Sequence, residues 1–331
     1  MRATAVRFAA PRQVEVVEVD VPSPVPGQVL VRTECSGISG GTELLAYRGE
    51  LDPEMPVDEA LGAFSGTFRY PFRYGYSCAG RVERSRSPEV PEGAAVFAFH
   101  PHQGAVVASP PDLVRLEGVE PRPATLFPLV ETAFQVSLDA GQVHEEPVAV
   151  MGLGPVGILS ALLLQRAGAR VIAAEPRVWR RKVAVDLGLR AVAPYELGDQ
   201  VALDTAGRGV ALAVEASGAP EALAEVLPIL AHEGTALVVS WYGSRSVSLP
   251  LGGPFHRRRL TIRSSQVSSI PAALSDRWTV ARRRAATREL MEELPLDILG
   301  THELAVDDAP AAYEALDRGE EGLLHAALRY G

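Results

Sequence analysis

Three glycines spaced as G-x-G-x-x-G occupy residues 152–157. They follow an apolar run (148–151) typical of a short buried strand, and they precede an apolar, helix-forming stretch (158–167). In this context the first glycine permits a tight turn, the second lets the backbone approach a pyrophosphate, and the third lets the helix pack closely on the sheet. The free N–H groups at the start of a helix also attract an anion. The stretch predicts a dinucleotide site with contacts at Gly152, Gly154, Pro155, Val156 and Gly157.

An acidic residue ends the next predicted strand (170–174): Glu175 lies 23 residues after Gly152. An acid at this place hydrogen-bonds the adenosine ribose and repels a 2′-phosphate, which favours NAD. Arg177 and Arg180 lie in the first turns of the following helix, where positive charge opposes the helix dipole. Such residues fit an anion, so we expect NAD and keep NADP as the alternative.

Two further residues follow predicted strands of this half of the chain. Ser217 comes after the strand 210–215, and Trp241 comes after the strand 235–240. The carboxyl ends of parallel strands are where ligands bind in such sheets. We therefore expect Ser217 and Trp241 to contact the cofactor.

His100 and His102 lie two residues apart, so both would point the same way from an extended segment. Three interpretations remain open for them: a metal pair, a role in lining a pocket or handling a proton, and a plain loop. Two histidines alone make an incomplete metal site.

The elements that would position these residues change character along the chain. Up to about residue 130, short strands punctuated by Gly and Pro predict a small barrel-like β domain. Within it, 29–33 reads as a strand, 35–43 as a loop rich in small and hydroxyl residues, and 51–73 as a surface excursion. From residue 132, strands alternate with helices of ten or more residues, which predicts a parallel sheet.

Composition excludes several classes of protein. A net charge of −9 argues against nucleic acid or an anionic membrane as the main partner. Two cysteines, Cys35 and Cys78, cannot build a disulfide framework or a four-cysteine zinc lobe. The first residues alternate like a strand and do not resemble a secretory signal. We expect a cytoplasmic protein with a small-molecule partner.

A β domain, a nucleotide-binding domain and a short return segment, in that order, resemble the medium-chain dehydrogenase/reductase family. This is the fold of liver-type alcohol dehydrogenase and quinone oxidoreductase. The resemblance spans essentially the whole chain. Besides the glycine turn, it is carried by residues 37–38, 42–43, 70–82, 215–218, 260–262 and 308–316.

The resemblance implies an α/β fold, with a Rossmann doubly wound parallel sheet (131–267) and a GroES-like β-barrel catalytic domain (1–130 and 268–331). The active site would lie in the cleft between them. Thr132 would contact the nicotinamide, with helix N-capping as its alternative. A homodimer would form through the edge of the Rossmann sheet, near the apolar stretch 249–254.

Zinc-dependent members of the family bind a catalytic metal through a cysteine, a histidine and a third Cys or Glu. The corresponding positions here carry Ser39 or Gly40, Tyr76, and Phe127 or Pro128. None of these is an ordinary zinc ligand, so we expect no zinc. The loop 36–43 is most similar to the zinc-less branch that contains bacteriochlorophyllide a dehydrogenase.

Hydroxyl groups would replace the metal, because a forming alkoxide needs positive charge or hydrogen-bond donors. By the resemblance, Thr42 matches the hydroxyl that relays the proton in the zinc enzymes. Tyr76 takes the place of the lost histidine ligand and would donate to the substrate oxygen, with Ser39 beside it and His100 as a proton partner. The alternative is that Tyr76 merely fills the zinc cavity.

These expectations describe a zinc-independent, NAD(P)-dependent oxidoreductase that acts on a secondary alcohol or ketone. An enoyl or quinone reductase of the same fold is the first alternative. A non-catalytic dinucleotide-binding protein is the second.

Overall fold

The computed structural model describes residues 1–58 and 63–331. The chain forms two compact units, one of residues 1–128 with 284–331 and the other of residues 129–283. Elements are numbered along the whole chain. No helix among the described residues is both long enough and apolar enough to cross a membrane.

The first unit is built mainly from antiparallel strands. A seven-stranded sheet has the order β14-β15-β3-β4-β5-β7, with β6 also paired to β3, and β1 and β2 form a separate hairpin. Its strands are β1 (Arg2–Ala10), β2 (Gln13–Asp20), β3 (Val29–Ile38), β4 (Cys78–Ser85), β5 (Ala95–Ala98), β6 (Ala105–Ala108), β7 (Leu113–Arg115), β14 (His302–Ala305) and β15 (Ala326–Arg329). Its helices are α1 (Thr42–Arg48), α2 (Pro121–Ala124), α9 (Leu296–Leu299) and α10 (Ala309–Arg318).

The second unit is a six-stranded parallel sheet in the order β10-β9-β8-β11-β12-β13. Its strands are β8 (Pro147–Met151), β9 (Arg170–Ala174), β10 (Arg190–Val192), β11 (Val210–Glu215), β12 (Leu230–Val238) and β13 (Thr261–Ser264). Its helices are α4 (Pro155–Arg166), α5 (Val178–Asp186), α6 (Pro194–Thr205) and α7 (Pro220–Val226), while α3 (Phe127–Ala140) and α8 (Val280–Glu293) each extend across a boundary between the units. The order is that of a doubly wound sheet. The predicted fold class is confirmed.

Strand β3 is longer than predicted, because residues 35–38 continue it where the sequence suggested a loop. Its second half pairs with β15, so that Ser36 faces Leu328 and Gly37 faces Ala327. The partner strand comes from the other end of the chain. Long-range pairing therefore overrides a local composition that favours a loop.

Strand β4 starts at Cys78, after Gly75 adopts a left-handed φ of 99°. Helix α7 ends at Val226, and β12 begins at Leu230. Helix α6 and the short strands β6 and β7 were not predicted.

The predicted surface excursion, 51–73, is partly internal. Residues 59–62 lie outside the described residues. Among the others, Phe68 and Phe72 are buried in the core of the first unit. Their two rings meet edge to face with centroids 5.4 Å apart, and Phe72 also stacks on Phe8 at 5.2 Å. Aromatic residues that have no regular spacing in the sequence can thus still belong to a hydrophobic core.

The units divide at 128/129 and 283/284, whereas the predicted boundaries were 130/131 and 267/268. A buried arginine explains why residues 268–283 group with the parallel sheet. Arg283 donates to Glu131 Oε1 from Nε and Nη2, at 3.1 and 2.9 Å, and to Gln135 Oε1 at 2.6 Å. It also donates to the carbonyl of Ser269 at 3.3 Å, which ties this segment to α3.

Replacing Arg283 with methionine should lower the free energy of unfolding by about 3 kcal/mol, because the buried Glu131 carboxylate loses its cation. Urea denaturation followed by circular dichroism measures this change. Arg282 is exposed on the same helix and stacks on Trp278, so Arg282→Met should cost less than about 1 kcal/mol. Equal effects of the two variants would contradict the role given to Arg283.

Candidate active site

The glycine turn joins β8 to α4 with almost no free space on one side. Gly152 has φ of 92°, and a Cβ there would lie 2.5 Å from Ser217 Cα. A Cβ at Gly157 would lie 1.9 Å from the carbonyl oxygen of Gly152, so the helix could not pack as it does. Only glycine is accommodated at these two positions.

Gly154 differs from the other two glycines. A Cβ at Gly154 would meet no atom within 4 Å, and its φ of −71° suits any residue. It precedes α4, whose first residue is Pro155, and no side chain caps the helix. The open surface beside uncapped N–H groups fits a pyrophosphate.

Glu175 stands at the end of β9 and is only 3% exposed. Its Oε2 accepts the N–H of Leu153 at 2.9 Å, and its Oε1 accepts the N–H of Arg177 at 3.0 Å. The acid thus fastens the glycine turn to its own strand end. Each carboxylate oxygen can accept more than one hydrogen bond, so these two bonds leave Glu175 able to bind the ribose as well. Ribose binding by Glu175 stays a prediction.

The arginines after Glu175 have different partners. Arg180 Nη1 lies 3.9 Å from Glu175 Oε2, and burial lowers the pKa of Arg180. Arg181 donates from Nη1 to the carbonyls of Glu175 and Pro176, at 2.7 and 2.8 Å. Arg177 is half-buried and stands just before α5. Positive charge therefore adjoins the acid that was predicted to select the cofactor.

The remaining predicted cofactor contacts occupy two different regions of this unit. Ser217 donates its N–H and hydroxyl to Glu215 Oε1, and Trp241 is 39% exposed after β12. Thr132 lies inside α3, which begins at Phe127, so its alternative role as an N-cap is wrong. The hydrogen bond from the Tyr242 hydroxyl to Glu215 Oε2, at 2.5 Å, was not predicted.

Three hydroxyl groups gather in the first unit. Ser39 follows β3, Thr42 begins α1 and Tyr76 precedes β4, and both Ser39 and Thr42 hydrogen-bond Tyr76. Burial, with the charge of Glu43 as a smaller cause, raises the pKa of Tyr76 to about 12. Tyr76 therefore carries its proton at neutral pH and can donate a hydrogen bond.

A fully buried hydrogen-bond network that adjoins these hydroxyl groups was not predicted from the sequence. His102 Nε2 lies 2.9 Å from Glu43 Oε2, and His102 Nδ1 lies 2.7 Å from Ser36 Oγ. The Tyr313 hydroxyl also donates to Glu43 Oε2, while Oε1 accepts the N–H of Ser39 at 2.9 Å. A proton on His102 Nε2 satisfies these contacts, and the network holds Ser39 in place.

The available signals for this network were the histidine pair and Gly75. A Cβ at Gly75 would lie 2.3 Å from His102 Cδ2, so glycine makes room for the imidazole. His100 is separate: its Nδ1 lies 2.8 Å from the Pro101 carbonyl oxygen, and burial lowers its pKa to about 4. His100 is therefore neutral at pH 7 and does not supply a positive charge.

The side chains at the family's zinc positions do not fit the metal. Ser39 and Tyr76 offer only hydroxyls, and Phe127 is buried against Phe97. Ser77, next to Tyr76, donates its Oγ to the Thr125 carbonyl at 2.7 Å. Within residues 1–58 and 63–331, no three His, Cys, Asp or Glu side chains are grouped to hold a metal ion. Thiolate, imidazole and carboxylate are the groups that zinc prefers.

Comparison with known proteins agrees with this architecture. Residues 155–285 match the family model described as zinc-binding dehydrogenase. The chain is 26% identical to L-threonine 3-dehydrogenase of Pyrococcus abyssi over 338 residues, covering 93% of each chain. It is 29% identical to 2-desacetyl-2-hydroxyethyl bacteriochlorophyllide A dehydrogenase of Cereibacter sphaeroides over 260 residues, 73% of this chain and 75% of that protein.

Solved structures share the fold. A protein described as a short chain alcohol dehydrogenase from E. coli CFT073, complexed with NADH, has a TM-score of 0.78 at 18% identity and covers 99% of each chain. Together the comparisons confirm the predicted resemblance to alcohol dehydrogenase-like medium-chain dehydrogenases. They also confirm that the chain is an oxidoreductase.

Substituting alanine for glycine in the turn should separate fold from binding. Gly154→Ala should leave the thermal midpoint unchanged, because the methyl group meets no protein atom. It should weaken NADH binding at least about tenfold, because the methyl group would occupy the space of the pyrophosphate. Calorimetric titration with NADH measures this.

Gly152→Ala is the matched comparison, since its Cβ would collide with Ser217 and its φ is left-handed. It should lower the thermal midpoint as well as NADH affinity. If Gly154→Ala binds NADH with the affinity of the wild type, the pyrophosphate does not bind at this turn.

Proposed function

We propose that the protein is a zinc-independent oxidoreductase that uses NAD to interconvert a secondary alcohol and its ketone. The observation that carries the proposal is the hydrogen-bonded group of Tyr76, Ser39 and Thr42. Ser39 and Tyr76 match metal-ligand positions of the zinc enzymes that this chain resembles, and Thr42 matches their proton-relaying hydroxyl. Three proton-bearing groups in that place suit chemistry at a substrate oxygen.

The second unit would bind the cofactor, and the first unit would transfer the proton. The carboxyl edge of the parallel sheet would hold the dinucleotide, with the pyrophosphate at Gly154 and the adenosine ribose at Glu175. A bound nicotinamide supplies or accepts the hydride. The carboxylate of Glu175 disfavours a 2′-phosphate, which supports NAD, while Arg177 and Arg180 beside it keep NADP as the alternative.

The hydroxyl group of the first unit would handle the proton. As a ketone oxygen gains negative charge, the Tyr76 hydroxyl donates to it, because preformed donors stabilise a developing oxyanion. Burial, with the charge of Glu43 as a smaller cause, raises the pKa of Tyr76 and so favours the donor over the base. Ser39 and Thr42 hold the Tyr76 hydroxyl and can pass the proton onward.

The names of the relatives support a hydroxyl compound as substrate. Those similar to this chain include an L-threonine 3-dehydrogenase, an (R,R)-butanediol dehydrogenase and a D-guloside 3-dehydrogenase. A homodimer and a cytoplasmic location stay predictions that rest on the family resemblance.

A substrate panel tests the proposal, with turnover followed by the absorbance of the reduced cofactor. The panel contains secondary alcohols and their ketones, enones and quinones, each with NAD(H) and NADP(H). Turnover of alcohols and ketones supports the proposal. Turnover confined to enones or quinones would replace it with the reductase alternative, and cofactor binding without any turnover would favour the non-catalytic one.

Tyr76→Phe should lower the rate of ketone reduction about 10²- to 10⁴-fold, because it removes the proton donor. NADH affinity should not change, since Tyr76 belongs to the unit without the glycine turn. Tyr195→Phe is the control, because Tyr195 is 85% exposed on α6.

The same pair of proteins tests the protonation state of Tyr76. With a pKa of about 12, the donor stays protonated between pH 6 and about pH 10. Its proton is lost only as pH rises toward 12, so the wild-type rate should show no fall attributable to Tyr76 in that range. A basic limb between pH 8 and about pH 10 in the wild type that is absent in Tyr76→Phe would contradict the donor assignment.

A further inference from the structure

The parallel sheet reverses its winding between β8 and β11, which are neighbours although β9 and β10 intervene in sequence. A dinucleotide lies across the carboxyl edge at such a point, with one half on each side. Glu175, at the end of β9, places the adenosine half on one side. The nicotinamide half would then lie over the ends of β11 and β12.

A buried carboxylate organises that second side. Glu215 is the last residue of β11 and is fully buried. Its Oε1 accepts the N–H and the hydroxyl of Ser217 at 2.8 and 2.5 Å, and its Oε2 accepts the Tyr242 hydroxyl at 2.5 Å. A carboxylate removed from water needs such donors, so both residues are held firmly.

Further hydrogen bonds join the loop after β11 to the loop after β12. The N–H of Gly218 donates to Ser240 Oγ at 2.8 Å, and Arg245 Nη2 donates to the Gly218 carbonyl at 2.8 Å. Arg245 Nε also donates to the Tyr242 carbonyl at 3.1 Å. The glycine turn is in contact with the same assembly, because Gly152 leaves no room for a Cβ beside Ser217.

We propose that Tyr242 is a positioning residue for the nicotinamide half of the dinucleotide, which it serves by fixing the loops 216–219 and 239–245 through Glu215. The inference rests on the proposed function, since it concerns the cofactor of the same oxidoreductase. Tyr242 acts through the loops and need not touch the reacting atoms.

The chemistry of Tyr242 and Glu215 favours a hydrogen bond that persists at every working pH. Burial, and then the hydrogen bond and charge of Glu215, raise the pKa of Tyr242 above its ordinary range. The hydroxyl is therefore a donor at every working pH. Phenylalanine preserves the ring, which packs against the core of the sheet, and removes only this donor.

The experiment compares two ligands that share the adenosine half. Calorimetric titrations with NADH and with AMP are performed on the wild type, Tyr242→Phe and Tyr195→Phe. If the wild type prefers NADPH, that dinucleotide and 2′-phospho-AMP take their place. AMP reports the adenosine side alone, whereas NADH reports both sides.

Tyr242→Phe should weaken NADH binding about tenfold and leave AMP binding within about twofold, consistent with the loss of one buried hydrogen bond. Tyr195→Phe should bind both ligands as the wild type does. Ser217→Ala provides a second, milder variant that removes one donor from Glu215, and it should show the same selectivity with a smaller change.

Unchanged NADH affinity in Tyr242→Phe would overturn the inference. So would an equal loss for both ligands, because that would mark a general effect on the fold. If Tyr242→Phe does not fold, Ser217→Ala decides by the same two criteria. A wild type that binds neither ligand would overturn the dinucleotide site itself, and an outcome of this kind is distinct from a loss confined to one variant.

Discussion

The need of a buried carboxylate for hydrogen-bond donors shapes every region assigned to function. Glu43, Glu175 and Glu215 are all excluded from water, and each accepts a backbone N–H from a neighbouring loop. An ionised carboxylate in such a place is tolerated only when its oxygens are matched by donors. Each acid therefore anchors the loop that supplies its backbone donor.

Each carboxylate supports a different part of the proposed reaction. Glu175 holds the glycine turn at Leu153, where the dinucleotide phosphates would bind. Glu215 holds the loops on the other side of the reversal point. Glu43 holds Ser39, which hydrogen-bonds Tyr76, and its charge adds to the larger effect of burial in raising the pKa of Tyr76. The same interaction thus prepares the cofactor side and the proton-donating side.

Local features of the sequence predicted the parallel sheet and its glycine turn well. The strand, the turn and the helix are contiguous, and Gly152 and Gly157 are required by short-range geometry that a motif records. The hydroxyl group came instead from the family resemblance, because Ser39 and Tyr76 are distant in sequence. Hydrogen bonding between them shows that those positions do lie together.

The missed features all depend on long-range contacts. Residues 35–38 become a strand only because β15 pairs with them. His102 meets Glu43 across the β domain, and a pair of histidines two residues apart did not indicate that only one would be buried with an acid. Likewise Tyr242 reaches Glu215 from another strand end. In both pairs, no local sequence pattern at one residue indicates which residue is its partner.

We propose that hydroxyl donors take the place of the catalytic metal of the zinc enzymes that this chain resembles. The most direct measurement is the metal content of the purified enzyme, together with its turnover of the best alcohol before and after exhaustive treatment with a strong chelator. We expect zinc far below one atom per chain and turnover that is unchanged by the chelator. Stoichiometric zinc, with turnover that is lost on chelation and restored by adding Zn²⁺, would contradict it.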